Sequence, residues 1–306
     1  MVQKDSIKNK IIIICGPTAS SKTALSIKLA KIFNTEIISA DSMNVYKGLN
    51  IGTAKPTIEE REGVIHHLID VVSPKETFSV GDYREIALPI VKNLLSRGKT
   101  PIICGGTGFY INSILYNYSY GNSGANIEIR DKFMKLADKE GCEFVYNELK
   151  KVDPISAEKI HFNDKKRVIR ALEIYYSGSK KSDIKDDLTP AFDYSAFTIG
   201  VEREILYNRI DERVELMFNN GLENEVKYLL DSGISFSDQC MQGIGYKEFS
   251  KFFSGEINLS ELKELIKLNT RHYAKRQITF FKKLPNLKTI PLDSAKNMAN
   301  FVMENL

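Results

Sequence analysis

No tryptophan occurs in the 306 residues, and cysteine, histidine and proline are sparse, at four, four and nine. Cys15, Cys104, Cys142 and Cys240 are scattered, with no C-x-x-C. That pattern points to neither a disulfide framework nor a zinc motif, and a reduced cytoplasmic protein is the expectation. No leader with an apolar stretch and cleavage site precedes the first strand, and the Ile11 to Ile14 run is far too short to cross a bilayer. No partner membrane is expected. Neither sign of charge dominates: 43 Lys and Arg face 39 Asp and Glu, leaving +4. The distribution is uneven. Residues 261–290 carry eight cations against Glu261 and Glu264, so the rest of the chain is slightly acidic. A basic segment on a nearly neutral body suggests a polyanionic partner. Hydrophobic content of 42% suits a globular chain of one large or two modest domains.

What the chain does have is residues 16–23, G-P-T-A-S-S-K-T, between an apolar strand-like run and a helical stretch. A loop so placed wraps an anion with backbone N–H groups and the helix N-terminus. Lys22 neutralises charge, and the Thr23 hydroxyl is suited to holding Mg²⁺. The phosphate-loop pattern asks for Gly where this chain has Ser21. A Cβ there is tolerated only if the backbone angles allow it, so a slightly strained loop is expected.

Residues 36–40 read as a second strand ending at Asp41, which serves either as a carboxylate at the open end of a sheet or as a cap. Residues 66–72 read as a further strand. His66 and His67 point to opposite sides of it and make a poor metal pair. Ser79 caps a helix that runs to Arg97, with Asp82 at the third position. Residues 100–104 form a buried strand before Gly105-Gly106-Thr107-Gly108. Alternation of strand and helix predicts a parallel, doubly wound α/β core. Residues 121–124 read as a flexible break, and 122–190 as an all-helical insertion with a polar linker near its end. A strand at 196–201 returns to the core, at 1–121 and 191–306, and the C-terminal region is helical. Its long helix, 259–283, aligns Lys263, Lys267, Arg271 and Lys275 on one face. That face is either solvated or, with Tyr273, Arg276, Gln277, Phe280 and Phe281 close by, suited to nucleic acid.

Six strings in order resemble the tRNA dimethylallyltransferases, the IPP transferase family. They are G-P-T-A-S-S-K-T, D-S-M-N-V-Y at 41–46, I-G-T-A-K-P at 51–56, H-H-L-I-D at 66–70, G-G-T-G-F-Y at 105–110 and A-K-R-Q-I-T-F-F at 274–281. The resemblance implies transfer of a dimethylallyl group from dimethylallyl diphosphate to N6 of the adenosine next to the anticodon, in tRNAs reading codons that begin with U. It implies Asp41 as general base with Thr107 beside it. Gly16, Pro17, Thr18, Ala19, Ser20, Ser21, Lys22 and Thr23 would hold the diphosphate, joined by Arg213, with Mg²⁺ on Thr23. The partner would be a tRNA anticodon stem-loop, bound by a monomer. Its contacts would be Asp41, Ser42, Met43, Asn44, Thr107 and Arg130, then Lys166, Arg167, Val168, Ile169 and Arg170. Gln242, Gly243, Ile244, Gly245, Tyr246 and Lys247 would follow, and finally Lys275, Arg276, Gln277, Ile278, Thr279, Phe280, Phe281 and Lys282.

Three other readings share parts of this pattern. A small-molecule kinase uses the same loop but needs no long basic helix. A prenyltransferase acting on free adenine nucleotides would share the loop and Asp41 and need less of the insertion. A non-catalytic RNA-binding module would have no use for Lys22, Thr23 and Asp41 together.

Overall fold

A computed structural model describes residues 10–117, 126–184 and 187–306. The expected break at 121–124 lies outside them. In chain order the elements are β1 (Lys10–Cys15), α1 (Lys22–Phe33), β2 (Ile37–Ser39), β3 (His66–His67), α2 (Val80–Ser96), β4 (Ile102–Gly105) and α3 (Gly108–Leu115). Then come β5 (Tyr116–Asn117), α4 (Ile127–Glu140), α5 (Cys142–Val152), α6 (Pro154–Lys159), α7 (Lys165–Tyr176) and β6 (Asp187–Pro190). The chain ends with β7 (Asp193–Gly200), α8 (Arg203–Asn219), α9 (Leu222–Asp231), α10 (Phe249–Phe253), α11 (Leu259–Phe281), β8 (Lys288–Pro291) and α12 (Ala295–Glu304). The chain divides into two compact units, Met1–Leu115 with Ala191–Leu306, and Tyr116–Pro190.

The larger unit holds a six-stranded sheet in the order β3-β2-β4-β1-β7-β8, with every pairing parallel. Ile12 and Ile14 of β1 join a core with Leu25 and Leu29 of α1 and Met298 and Val302 of α12. Ile11 and Ile13 are equally buried and, by strand alternation, face the other side. A strand buried on both faces reads as an unbroken apolar run, which is what β1 is. Helix α2 starts at the expected capping box between Ser79 and Asp82 and buries Tyr83, Ala87, Val91 and Leu94 along one stripe. The carboxyl ends of β1, β4 and β2 lie side by side. Residues 16–21, 41–46 and 106–107 therefore emerge together, where ligands bind in open parallel sheets.

The structure departs from the sequence reading in three places. Strand β3 is two residues long because Leu68 and Asp70 adopt left-handed backbone, φ 64° and 58°, which ends an extended run. Strand β8 forms in a region read as helical. It pairs Phe197 with Lys288 and Ile199 with Ile290, and only Ile290 of it is buried, so it carries little hydrophobic pattern. In the smaller unit the helices α4 to α7 surround Phe133, Val145, Leu149 and Leu172, and the polar stretch near its end contributes β6, antiparallel to β5. Asp153 and Asp164 cap α6 and α7, at the Asp153-Pro154 and Asn163-Asp164 pairs that read in sequence as helix starts.

Candidate active site

The phosphate loop leaves β1 at Gly16 and enters α1 at Lys22. Ser20 Oγ donates to the Pro17 carbonyl at 2.8 Å, and Lys22 Nζ folds back onto the same oxygen. Two residues with a Cβ, Ala19 and Ser21, sit at φ 60° and 66°. The Gly that the pattern prefers at 21 thus corresponds to a real left-handed position, and Ser21 occupies it with strain. Its side chain makes no cap bond to the helix; Arg209 Nη1 donates to Ser21 Oγ at 3.4 Å. Desolvation lowers the Lys22 pKa from its ordinary value, and nearby Arg213 pushes it the same way. Burial also pushes Cys15 up to about 12 and raises Cys104. Neither thiol beside the loop is a nucleophile at neutral pH.

Asp41 follows β2. Its Oδ1 accepts from the Met43 amide at 2.9 Å and the Asn44 amide at 3.4 Å, and among the described residues Oδ2 has no hydrogen-bond partner. The carboxylate thus ties its own turn with one oxygen, and the residue lines a cavity. Thr107 is fastened to that turn. Its amide donates to the Ala40 carbonyl at 2.9 Å, and its Oγ1 accepts from the Ser42 amide at 3.0 Å. Gly105 permits the approach, because a Cβ there would lie 2.1 Å from the Ala40 oxygen. Tyr273 of α11 lies close by; burial, with Asp41 adding to it, pushes its phenol up to about 12 and keeps it neutral.

Arg213 of α8 reaches the phosphate loop. Its Nη1 donates to Thr18 Oγ1 at 3.2 Å and its Nη2 to the Thr53 carbonyl at 3.5 Å. The loop carrying Thr53 is held by Glu225 of α9. That carboxylate accepts the amides of Asn50, Ile51 and Gly52 at 2.8–3.1 Å and the Tyr246 hydroxyl at 2.7 Å. Lys55 fixes the loop from within, bonding Asp70 at 2.6 Å and the Tyr46 carbonyl at 2.7 Å. A cavity of about 490 Å³ results, lined by Thr18 to Thr23, Asp41 to Asn44, Gly105, Gly106, Arg213, Gln242 to Gly245, Lys247, Tyr273, Arg276 and Gln277.

Several residues expected to touch RNA have other occupations. Gln277 is buried and braces two loops: its Oε1 accepts from the Thr18 amide at 2.9 Å, and its Nε2 donates to the Gly106 carbonyl at 3.0 Å. That also engages one amide counted toward the diphosphate. Tyr246 and Phe281 are buried, and Ile278 packs against α8. Gly243 lies against Met43, where a Cβ would come within 2.5 Å of it. Three of the four aligned cations of α11 are paired with acids. Lys263 and Lys267 pair with Glu215 at 2.6 and 2.8 Å, and Arg271 with Asp211 at 3.3 Å, all on α8. Lys275, Arg276, Thr279 and Lys282 do remain exposed.

In the smaller unit, Val168 and Ile169 belong to the core, which leaves Lys166 and Arg167 as the exposed side chains of that segment. Arg130 and Arg170 both pair with the fully buried Glu173, at 3.0 and 2.8 Å. Sequence reasoning missed Glu225, an ordinary helix glutamate by pattern. It also missed Arg209, although its i, i+4 spacing from Arg213 was a usable signal.

Loop, carboxylate and arginine around one cavity at the end of a parallel sheet define a phosphate-loop α/β protein. The chain belongs to the IPP transferase family, whose profile matches residues 44–284. It is 46% identical to the tRNA dimethylallyltransferase of Acetivibrio thermocellus, with 93% of this chain and 92% of the relative covered. It is 45% identical to that of Clostridioides difficile, with 95% and 94% covered. Among solved structures it is similar to the tRNA isopentenylpyrophosphate transferase of Bacillus halodurans, at 38% identity, TM-score 0.73, and 97% and 98% coverage. It is also similar to a eukaryotic dimethylallyltransferase described as acting on tRNA, at 31% identity, TM-score 0.80, and 97% and 77% coverage. No helix among the described residues is long and apolar enough to cross a membrane.

Proposed function

We propose that this protein transfers a dimethylallyl group from dimethylallyl diphosphate to N6 of the adenosine next to the anticodon of tRNA. The observation that carries the reading is the convergence of Lys22, Asp41 and Arg213 on one cavity in a chain of this family. In the reaction the allylic C–O bond breaks, a C–N bond forms, diphosphate leaves and N6 loses a proton. Lys22, Arg213 and the free amides of the phosphate loop face the charge that develops on the leaving group. Asp41 Oδ2 takes the proton, while Oδ1 stays anchored to the 43 and 44 amides. Neutral Tyr273 and Thr107 flank it. A base stacked in an anticodon loop does not reach an enclosed carbon, so the adenosine is flipped into the cavity.

Among the described residues no cluster of three or more His, Cys, Asp or Glu could hold a metal ion. A Mg²⁺ would be held on the protein side by the Thr23 hydroxyl, a hard oxygen donor at the cavity. When bound it supplies further neutralisation of the leaving diphosphate. The stem-loop is held by exposed Lys275, Arg276, Thr279 and Lys282 on the larger unit. Loop, carboxylate and arginine come from one chain, so a monomer suffices. The test is mass spectrometry of tRNA incubated with protein, Mg²⁺ and dimethylallyl diphosphate. The expected product gains one prenyl group on the adenosine beside the anticodon; unmodified tRNA, with phosphorylation of a small acceptor in a parallel incubation with ATP, would return the site to kinase chemistry.

A further inference from the structure

Phe109, in the first turn of α3, keeps 64% of its surface exposed. It lies two residues past Thr107, which fastens the Asp41 turn. Its ring packs edge-on against Phe280 of α11, with centroids 5.4 Å apart and planes at 62°. That partner is fixed, because Phe280 sits directly on Gly108, where a Cβ would lie 2.0 Å from its ring. Tyr273, Arg276, Phe280 and Lys283 follow at steps of three, four and three residues, which stacks them on one face of α11 and the turn after it. Tyr273 and Arg276 line the cavity, and the Arg276 guanidinium lies 5.7 Å over the Tyr273 ring. The aromatic pair is therefore one helical turn outside the cavity, between a cation at the mouth and exposed Lys283 beyond it. Aromatic faces interleaved with cations are what a nucleic acid strand needs: π-faces for bases and charge for phosphates.

We infer that the exposed face of Phe109, backed by Phe280, is a stacking platform for the RNA base next to the flipped adenosine. Flipping leaves that neighbour without one of its stacking partners, and Phe109 replaces the missing contact. Arg276 and Lys283 meet the phosphates on either side. This rests on the tRNA reading above.

The absence of tryptophan from the chain makes the test direct. Phe109→Trp places a single indole on the platform, and binding of an anticodon stem-loop should quench its emission. Phe109→Ala should weaken stem-loop binding by about fivefold or more, the lower end of the effect of losing one stacked base. Its salt dependence should be unchanged, because no phosphate contact is removed. Phe109→Tyr should bind normally, and melting curves of all three variants should match the parent, as an exposed ring contributes little to folding. A parent protein that neither binds nor prenylates the stem-loop would overturn the function itself. A parent that does both, with Phe109→Ala binding unchanged and the indole emission unmoved, would overturn this inference alone.

Discussion

Replacing Ser21 by Gly tests whether the phosphate loop holds strain where its sequence departs from the pattern. Ser21 sits at φ 66° and ψ 21°, a conformation that costs an L-residue about 1–2 kcal/mol. Glycine adopts it freely, but gives the unfolded chain extra freedom that offsets about 0.4–1 kcal/mol. No helix-cap bond is lost, since the Ser21 side chain makes none. The Arg209 contact at 3.4 Å is long and worth a few tenths of a kcal/mol at most. The net expectation is a gain between about zero and 1.5 kcal/mol, against a loss of about 0.5–1 kcal/mol for the same change at an ordinary right-handed position. Urea denaturation of parent, Ser21→Gly and Ser21→Ala measures it. The Ala variant keeps the Cβ and the strain and isolates the hydroxyl. Affinity for dimethylallyl diphosphate should be kept or improved in Ser21→Gly, and tRNA affinity left alone. A loss of 0.5 kcal/mol or more in Ser21→Gly would refute the strain. A large loss of diphosphate affinity in both variants would show instead that the hydroxyl makes a needed contact.

Three further outcomes are expected. Asp41→Asn keeps an acceptor for the Met43 and Asn44 amides, so it should melt like the parent and bind both substrates. Its kcat should fall by about 10²-fold or more; near-normal kcat would remove the base assignment. Lys275→Ala with Arg276→Ala should weaken tRNA binding and flatten log K against log salt by up to about 1.4–1.8, whereas Lys263→Ala, already paired with Glu215, should leave that slope alone. Equal slopes in both would contradict the division of α11 into a packed and a free part. Glu36 supplies a pH dependence. Burial raises its carboxyl, but hydrogen bonds from His67, Lys99 and Arg97 prevail and bring it down to about 2, from an ordinary 4.5. A depressed carboxylate stabilises above its unfolded pKa and loses that contribution as pH falls through the folded one. Glu36→Gln should therefore be less stable than the parent at pH 7, with the gap closing between about pH 4.5 and 2. A gap that stays constant in urea titrations at pH 7 and pH 2 would sink this.

The sequence by itself determined whatever depends on neighbours along the chain. The strand-loop-helix of residues 10–33, the Ser79–Asp82 box, the starts of α6 and α7 and the length of α11 are local, because caps, turns and apolar periods act within a few residues. It also showed the phosphate loop, and Ser21 as its odd member, because a left-handed position is marked by the residue type it prefers. Tertiary structure decided which of the legible groups are available for function. Lys263, Lys267 and Arg271 form one basic stripe in sequence, yet acids on α8, some 50–60 residues away, pair with them. Gln277 reads as a polar contact and is the brace between two glycine-bearing loops. Glu225 has no pattern at all, and holds the Thr53 loop across more than 170 residues. Whether a charge meets solvent, a ligand or an opposite charge is settled by which surface packs against it, and that partner lies too far along the chain for any local pattern to record.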